Sequence, residues 1–210
     1  MQLIRYYLFS ISIGLSLIIA QSLFSQTIVN TEKLAGQTKK GFNASLEYNF
    51  DFEQGNSDLL EFAGKSLLGY GGNMQSIKFI TGVRYLSEDN NELIYRNFIH
   101  LRHNYYLTKN IRSFLFYQLQ RNNSLLMKRR QLFGAGLRKK ITLIDSIMFD
   151  AGSGLMYEME RLNQRDTVSN HPAHLSTCRM ANILSIRYNV KSYFSILNTL
   201  YYQPLSLIHI

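Results

Sequence analysis

The residues whose types could carry nucleophilic, acid–base or metal chemistry are His100, His103, Cys178 and the run His171-Pro172-Ala173-His174 with Asp166. Their spacing argues against each use. His100 and His103 stand at an odd separation, so on a strand they point to opposite faces. No serine elbow or metal-spaced carboxylate pair accompanies them. An enzyme acting on lipid or peptide would need a Ser/His or Asp/His pair at one site, and it stands as an alternative reading. The His171–His174 run matches no standard metal spacing and reads as an exposed polar loop. The single cysteine, Cys178, has no partner for an internal disulfide and falls on an apolar face. Gly134/Gly136 and Gly152/Gly154 resemble phosphate-cradling runs, but no helix start follows them, so close interior packing is the expectation. No catalytic residue, cofactor or metal is assigned.

A larger set of ionisable residues repeats along the chain at alternate positions. It comprises the acids Glu47, Asp51, Glu61, Asp150 and Glu158 with the bases Lys65, Lys78, Arg84, Arg96, Arg102, Arg130, Arg138, Arg179 and Arg187, and His100 beside them. Charged groups gathered on one side of a small barrel must pair or stay wet. They are expected to line a lumen, either as a salt-bridge plug or as a narrow cation-lined path for anions.

The elements that must hold this set are strands. In Gly41–Glu53, Phe42, Ala44, Leu46, Tyr48, Phe50 and Phe52 form one face, while Asn43, Ser45, Glu47, Asn49, Asp51 and Glu53 form the other. A tilted strand needs roughly 9 to 11 residues to cross a bilayer, which this stretch supplies. The unit recurs over 58–70, 74–87, 93–107, 113–120, 127–139, 146–159 and 177–190, and a last strand over 193–203 has faces that do not separate. Phe114 and Phe116 fall on the polar side, where they either fill the lumen or weaken that assignment. The count is about nine strands in an up-and-down meander. Connections after Glu53, Leu86, Gln120 and Met159 read as long polar loops, and those after Tyr70, Leu107 and Val190 as short turns. A turn at 140–145 fits this alternation less well.

Residues 1–25 have a basic start at Arg5, an apolar core from Leu8 to Ala20 and small residues at Ala20, Ser22 and Ser25. This is the layout of a secretory signal peptide, with cleavage after Ser25 or Ala20, and the core is too short for a spanning helix. No cysteine near the cut permits a lipid anchor. Residues 26–40 are polar and read as a periplasmic lead. The formal charge is +9, yet the only basic clusters, Lys128-Arg129-Arg130 and Arg138-Lys139-Lys140, lie at strand ends without interleaved aromatics. Nucleic acid is therefore not expected as a partner.

Alternation alone does not separate a membrane barrel from a soluble periplasmic, lipocalin-like binding barrel, because the second has the apolar set inside. The signal peptide and a charged face carrying both signs favour the membrane. Several short motifs then bear on kinship: Gly55-Asn56-Ser57-Asp58, Tyr105-Tyr106-Leu107-Thr108-Lys109, Gly134-Ala135-Gly136-Leu137 and Tyr201-Tyr202-Gln203-Pro204. In that order they resemble a family of bacterial outer-membrane proteins catalogued as domain of unknown function 481, which includes salt-stress-induced proteins. The chain departs from the pattern at Leu137-Arg138, where an aromatic is expected. The resemblance implies a barrel without an assigned reaction.

The reading is an all-β, antiparallel up-and-down transmembrane β-barrel over residues 41–204, in the bacterial outer membrane. It is non-enzymatic, structural or small and pore-like, and linked through the resemblance to envelope or osmotic stress. Its expected partners are outer-membrane lipid, lipopolysaccharide, the barrel assembly machinery and small solutes or ions. Residues 205–210, LSLIHI, read as the translation of a transposon end used in library preparation, so a C-terminally truncated barrel and a non-native tail are expected, the full form having about twelve strands.

Overall fold

The computed structural model describes residues 40–144, 146–163, 173–191 and 194–204. The segments expected to be a signal peptide and a non-native tail (205–210), nearly all of the expected lead, and Asp166, His171 and Pro172 lie outside the described residues. Ten strands form one antiparallel sheet: β1 (Gly41–Glu53), β2 (Leu59–Gly71), β3 (Gln75–Glu88), β4 (Asn91–Tyr106), β5 (Ile111–Asn122), β6 (Met127–Ile144), β7 (Ile147–Leu162), β8 (His174–Met180), β9 (Asn182–Lys191) and β10 (Phe194–Tyr202). Each pairs with its sequence neighbour, except that β8 and β9 both pair with β7 in a common register. The two are one strand interrupted at Ala181, whose N–H donates to the Gly154 carbonyl (2.9 Å). The described residues therefore cross the sheet nine times, as the alternation predicts.

The strands keep their ionisable groups and most of their exposed apolar side chains on opposite faces; Leu197 of β10, exposed yet inward opposite Arg187, is an exception. Exposed apolar side chains such as Phe50, Phe79, Leu101, Leu115, Leu137 and Leu155 all fall on one face. Lys78, His100, Arg102, Gln118, Arg138 and Glu158 occupy the other and are buried. The sheet curls around this polar face, because residues of β3 and of β10, at distant positions in the strand order, line one cavity. Among the described residues β1 and β10 are not paired with each other, so the sheet is not closed. Phe114 and Phe116 lie inside. Phe114 is buried, and Phe116 packs against the interior cluster of Leu132, Met156 and Ala181. Beyond an irregularity at Phe194/Ser195, β10 also resolves into faces: Thr199 bonds the inward Ser185 (3.1 Å), while Ile196, Leu200 and Tyr202 are exposed on the other side.

Two connections differ from expectation. The polar segment over 87–92 is not a loop: β3 and β4 run into it and turn on Asp89 and Asn90, at φ of 48° and 63°. Asp and Asn tolerate that left-handed backbone, as a two-residue hairpin requires. The tip is tied to the β1–β2 connection, since Asp58 N–H donates to Asp89 Oδ1 (2.8 Å) and Asp89 N–H to the Asp58 carbonyl (2.9 Å). At the opposite end β6 continues to Ile144, and Lys140 and Ile141 pair with Asp150 and Phe149, so strand replaces most of the turn expected at 140–145. Ladder hydrogen bonds satisfy the backbone of these polar segments, which outweighs their loop-like composition. The contrast of long loops with short turns is correspondingly weaker than expected.

Candidate functional site

The inward face is layered along the strands. Toward the end that carries the Asp89-Asn90 hairpin, Glu158 accepts hydrogen bonds from Arg130 and from Arg179 Nε (2.6 Å), and its side chain is 1% exposed. A buried carboxylate between two guanidiniums is compensated only because both partners are held in place. The ladder holds them, since β6, β7 and β8 are consecutive in the sheet and all three residues point inward. On the same face Glu61 pairs with Arg84 Nε (2.7 Å), both partly exposed.

The middle is apolar and aromatic. Phe116 stacks on Phe114 and on His100 at centroid distances of 6.3 Å and 5.7 Å. His100 Nδ1 meets Gln118 Oε1 at 3.1 Å, and Gln118 Nε2 donates to Gln120 Oε1 (2.6 Å). His103 sits on the outer face, 3.3 Å from Gln75 Oε1, so the two histidines do not share a site. The glycines explain how bulky groups fit. Gly82 lies opposite Phe98, Gly134 opposite Phe116 and Gly152 opposite Arg138, and in each case an added Cβ would collide with that side chain. Gly136 and Gly154 oppose each other so closely that a Cβ on either would strike backbone. The alternating glycines thus serve interior packing.

At the short-turn end the inward face opens into a cavity of 340 Å³. Lys78, Arg102, Arg112, Arg138 and Arg187 line its walls, with Lys109 and Lys140 also on the lining. Asp150 is the single carboxylate among the described lining residues, and it accepts hydrogen bonds from Arg112 and from Arg138 Nε (2.9 Å). The guanidinium of Arg102 also rests over the Phe114 ring at 5.6 Å. Arg112 and Lys140, not singled out by alternation, join the site through the register that places them beside Arg138 and Asp150.

The remaining sequence candidates lie apart from this cavity. Glu47, Asp51 and Lys65 stand on the inward face of β1 and β2, exposed, with Glu47 directly opposite Lys65 and Asp51 opposite Glu61. Arg96 is exposed on β4 opposite Arg84. Cys178 pairs with Tyr157 on the outer face. Among the described residues no group of three His, Cys, Asp or Glu side chains is placed to hold a metal ion.

Comparison with known proteins gives one relationship. The chain matches the family described as "Protein of unknown function, DUF481" over residues 43–198. No curated protein and no solved structure matches it. The family match spans nearly the whole sheet, from β1 into β10, and the chain belongs to the DUF481 family.

Proposed function

We propose that this protein is an outer-membrane β-barrel, exported by its N-terminal signal peptide, that acts as a structural or narrow pore-like element of the envelope without catalysing a reaction. The observation that carries this reading is the polarity of the sheet. Phe42 is 71% exposed and Leu155 60%, while Arg138 and Glu158 on the opposite face are 2% and 0% exposed. A soluble lipocalin-like barrel would bury the first set and hydrate the second. Apolar side chains facing out from an internally bonded sheet suit lipid, where a charge at mid-bilayer costs about 2–4 kcal/mol. On the outer face Arg121, Arg129 and Arg161 stand within two residues of a strand end, at the depth expected of headgroups and lipopolysaccharide, while Lys139 lies five residues inside β6, opposite the first residue of β5.

In this reading the barrel assembly machinery is the folding partner, and small solutes or ions are what a lumen would pass. The packed middle layer of Phe114, Phe116, Leu132 and Met156 favours a narrow path. The family resemblance is what connects the protein to envelope or osmotic stress. The test is fractionation of the expressing bacterium on a density gradient, followed by bilayer conductance of the purified protein. Recovery with outer-membrane markers and small or absent conductance is expected. Recovery in the aqueous periplasmic fraction would replace this reading with the soluble binding barrel.

A further inference from the structure

We propose, resting on the membrane reading, that an arginine row on the outer face holds the phosphates of a phosphorylated glycolipid headgroup of the outer leaflet. The row lies at the end of the sheet that carries the Asp89-Asn90 hairpin. Arg129 stands directly opposite Arg161 across β6 and β7, and Arg161 directly opposite His174 across β7 and β8. Arg121 extends the row onto β5. The ladder pairs Gln120 with Arg130 and Asn122 with Met127, so Arg121 faces both Lys128 and Arg129. Two residues against one is a β-bulge, which re-aims side chains that regular alternation would turn apart. Met127 and Arg130 on either side of it are buried, while Lys128 and Arg129 are both exposed. The bulge thus brings a further exposed cation beside the row.

The strands that carry the row supply no counter-charge on that face. β5, β6 and β8 contain no acidic residue, and the three acids of β7, Asp150, Glu158 and Glu160, stand on the inner face. Among the described residues Lys128, Arg129 and Arg161 make no ion pair. Arg121 is braced by neutral groups: its Nε donates to Asn123 Oδ1 (3.1 Å), and its guanidinium lies over the Tyr95 ring at 5.1 Å. The Glu92 carboxylate, on β4, is bonded by Asn123. On the inner face, by contrast, Arg84 stands opposite Arg96 but is bonded to Glu61.

The row is also one-sided. Followed back along the ladder from Arg121, it meets Asn97, Val83, Gly64 and Tyr48, none of them charged. Diffuse contact with headgroups asks for cations all round a barrel, whereas a patch on neighbouring strands suits one bound headgroup. With strands about 4.8 Å apart, β5 to β8 span about 14 Å, room for a sugar headgroup bearing more than one phosphate. Tyr117, Phe133 and Tyr157 stand outward four residues further into the same strands, with Tyr117 and Phe133 4.7 Å apart between ring centroids. At about 3.4 Å per residue these rings lie about 13 Å along the strand from the arginines. Aromatics mark the edge of the apolar layer, so the guanidiniums stand where phosphates lie, and their planar fork matches phosphate oxygens.

The test folds the full chain into phosphatidylcholine vesicles, reads insertion by protease protection, and adds diphosphorylated lipid A as the probe. Native mass spectrometry of the re-extracted protein then reads how much probe it retains. Saturable retention is expected, and dephosphorylated lipid A should be retained about tenfold less, the loss expected of charged hydrogen bonds. The double variant Arg129→Gln/Arg161→Gln should lose retention by about tenfold or more. Arg129→Lys/Arg161→Lys should keep part of it, as a point charge without the fork. Lys139→Gln, on the same face toward the short-turn end, should leave it unchanged. The double glutamine variant should insert as well as the parent, since neither arginine makes an ion pair among the described residues. Insertion without retention, retention indifferent to the phosphates, or equal losses in the double glutamine variant and Lys139→Gln would overturn the site and leave the membrane reading standing. Failure of the parent to insert would overturn both.

Discussion

Phe116 and Gly134 face each other across β5 and β6, and the ring occupies the space that a side chain at Gly134 would need. The contact turns a residue that is usually a weak strand former into part of the interior packing, because the aromatic covers the bare backbone. Gly134→Ala should therefore cost about 1–3 kcal/mol through overpacking. Gly55→Ala, where an added Cβ meets nothing, should stay within about 0.5 kcal/mol. Denaturant midpoints of the detergent-solubilised protein would measure both. Combining Gly134→Ala with Phe116→Leu should return part of the loss, and strict additivity would refute the contact.

Glu158 separates a plug from a loose collection of charges. Its side chain is 1% exposed and is shared by Arg130 and Arg179, whereas Glu61, bonded to Arg84, is 24% exposed. Glu158→Gln leaves two guanidiniums without their shared anion and should cost about 3–5 kcal/mol. Glu61→Gln should cost under about 1 kcal/mol, since water still reaches that pair. Equal melting midpoints for the two variants would show that Glu158 is hydrated and the plug is not formed.

The sequence made the faces legible because period-2 alternation survives any amount of curvature. Lys78, Arg102, Arg138 and Glu158 could all be placed inside from parity alone, and so could the segment around Ala181, where register continues through the interruption. The limits of the strands were less legible. Asp89 and Asn90 lie within a polar run that resembles a loop, and only the ladder on both sides shows that two residues suffice to turn. The site was half legible. Parity assigns a residue to a face but not to a height, so Arg112 and Lys140 emerged as neighbours of Asp150 only once the register was known. The separation of Arg130, Glu158 and Arg179 from the basic cavity is likewise a matter of register.

The hairpin tip yields a sharper test of that turn. Asn90 holds φ 63° and Asp89 φ 48°, a conformation that costs most residues roughly 1–2 kcal/mol. Asn90→Gly should be neutral within a few tenths of a kcal/mol, since glycine takes that backbone freely. Asn90→Val should be destabilising by about 1–2 kcal/mol or more, as a β-branched residue resists the left-handed region. Were both variants equally stable, the two-residue turn would give way to the longer loop that composition suggests.

Leu155 decides between lipid and water as the solvent of the outer face. It is 60% exposed near the centre of β7, opposite Ala135, with Tyr157 and Met159 following on the same side. In a bilayer, Leu155→Arg puts a charge near mid-depth and should cost about 2–4 kcal/mol. In water the same change on an exposed strand should fall within about 0.5 kcal/mol and would improve solubility. Ser45→Arg supplies the control, because Ser45 is exposed on the inward face of β1, where either solvent reading leaves the guanidinium hydrated. Folding equilibria of the three proteins into lipid vesicles should show a large penalty for Leu155→Arg and little for Ser45→Arg. Equal, small effects would mean that the exposed apolar face is not solvated by lipid, and a covering protein surface would then have to replace the bilayer.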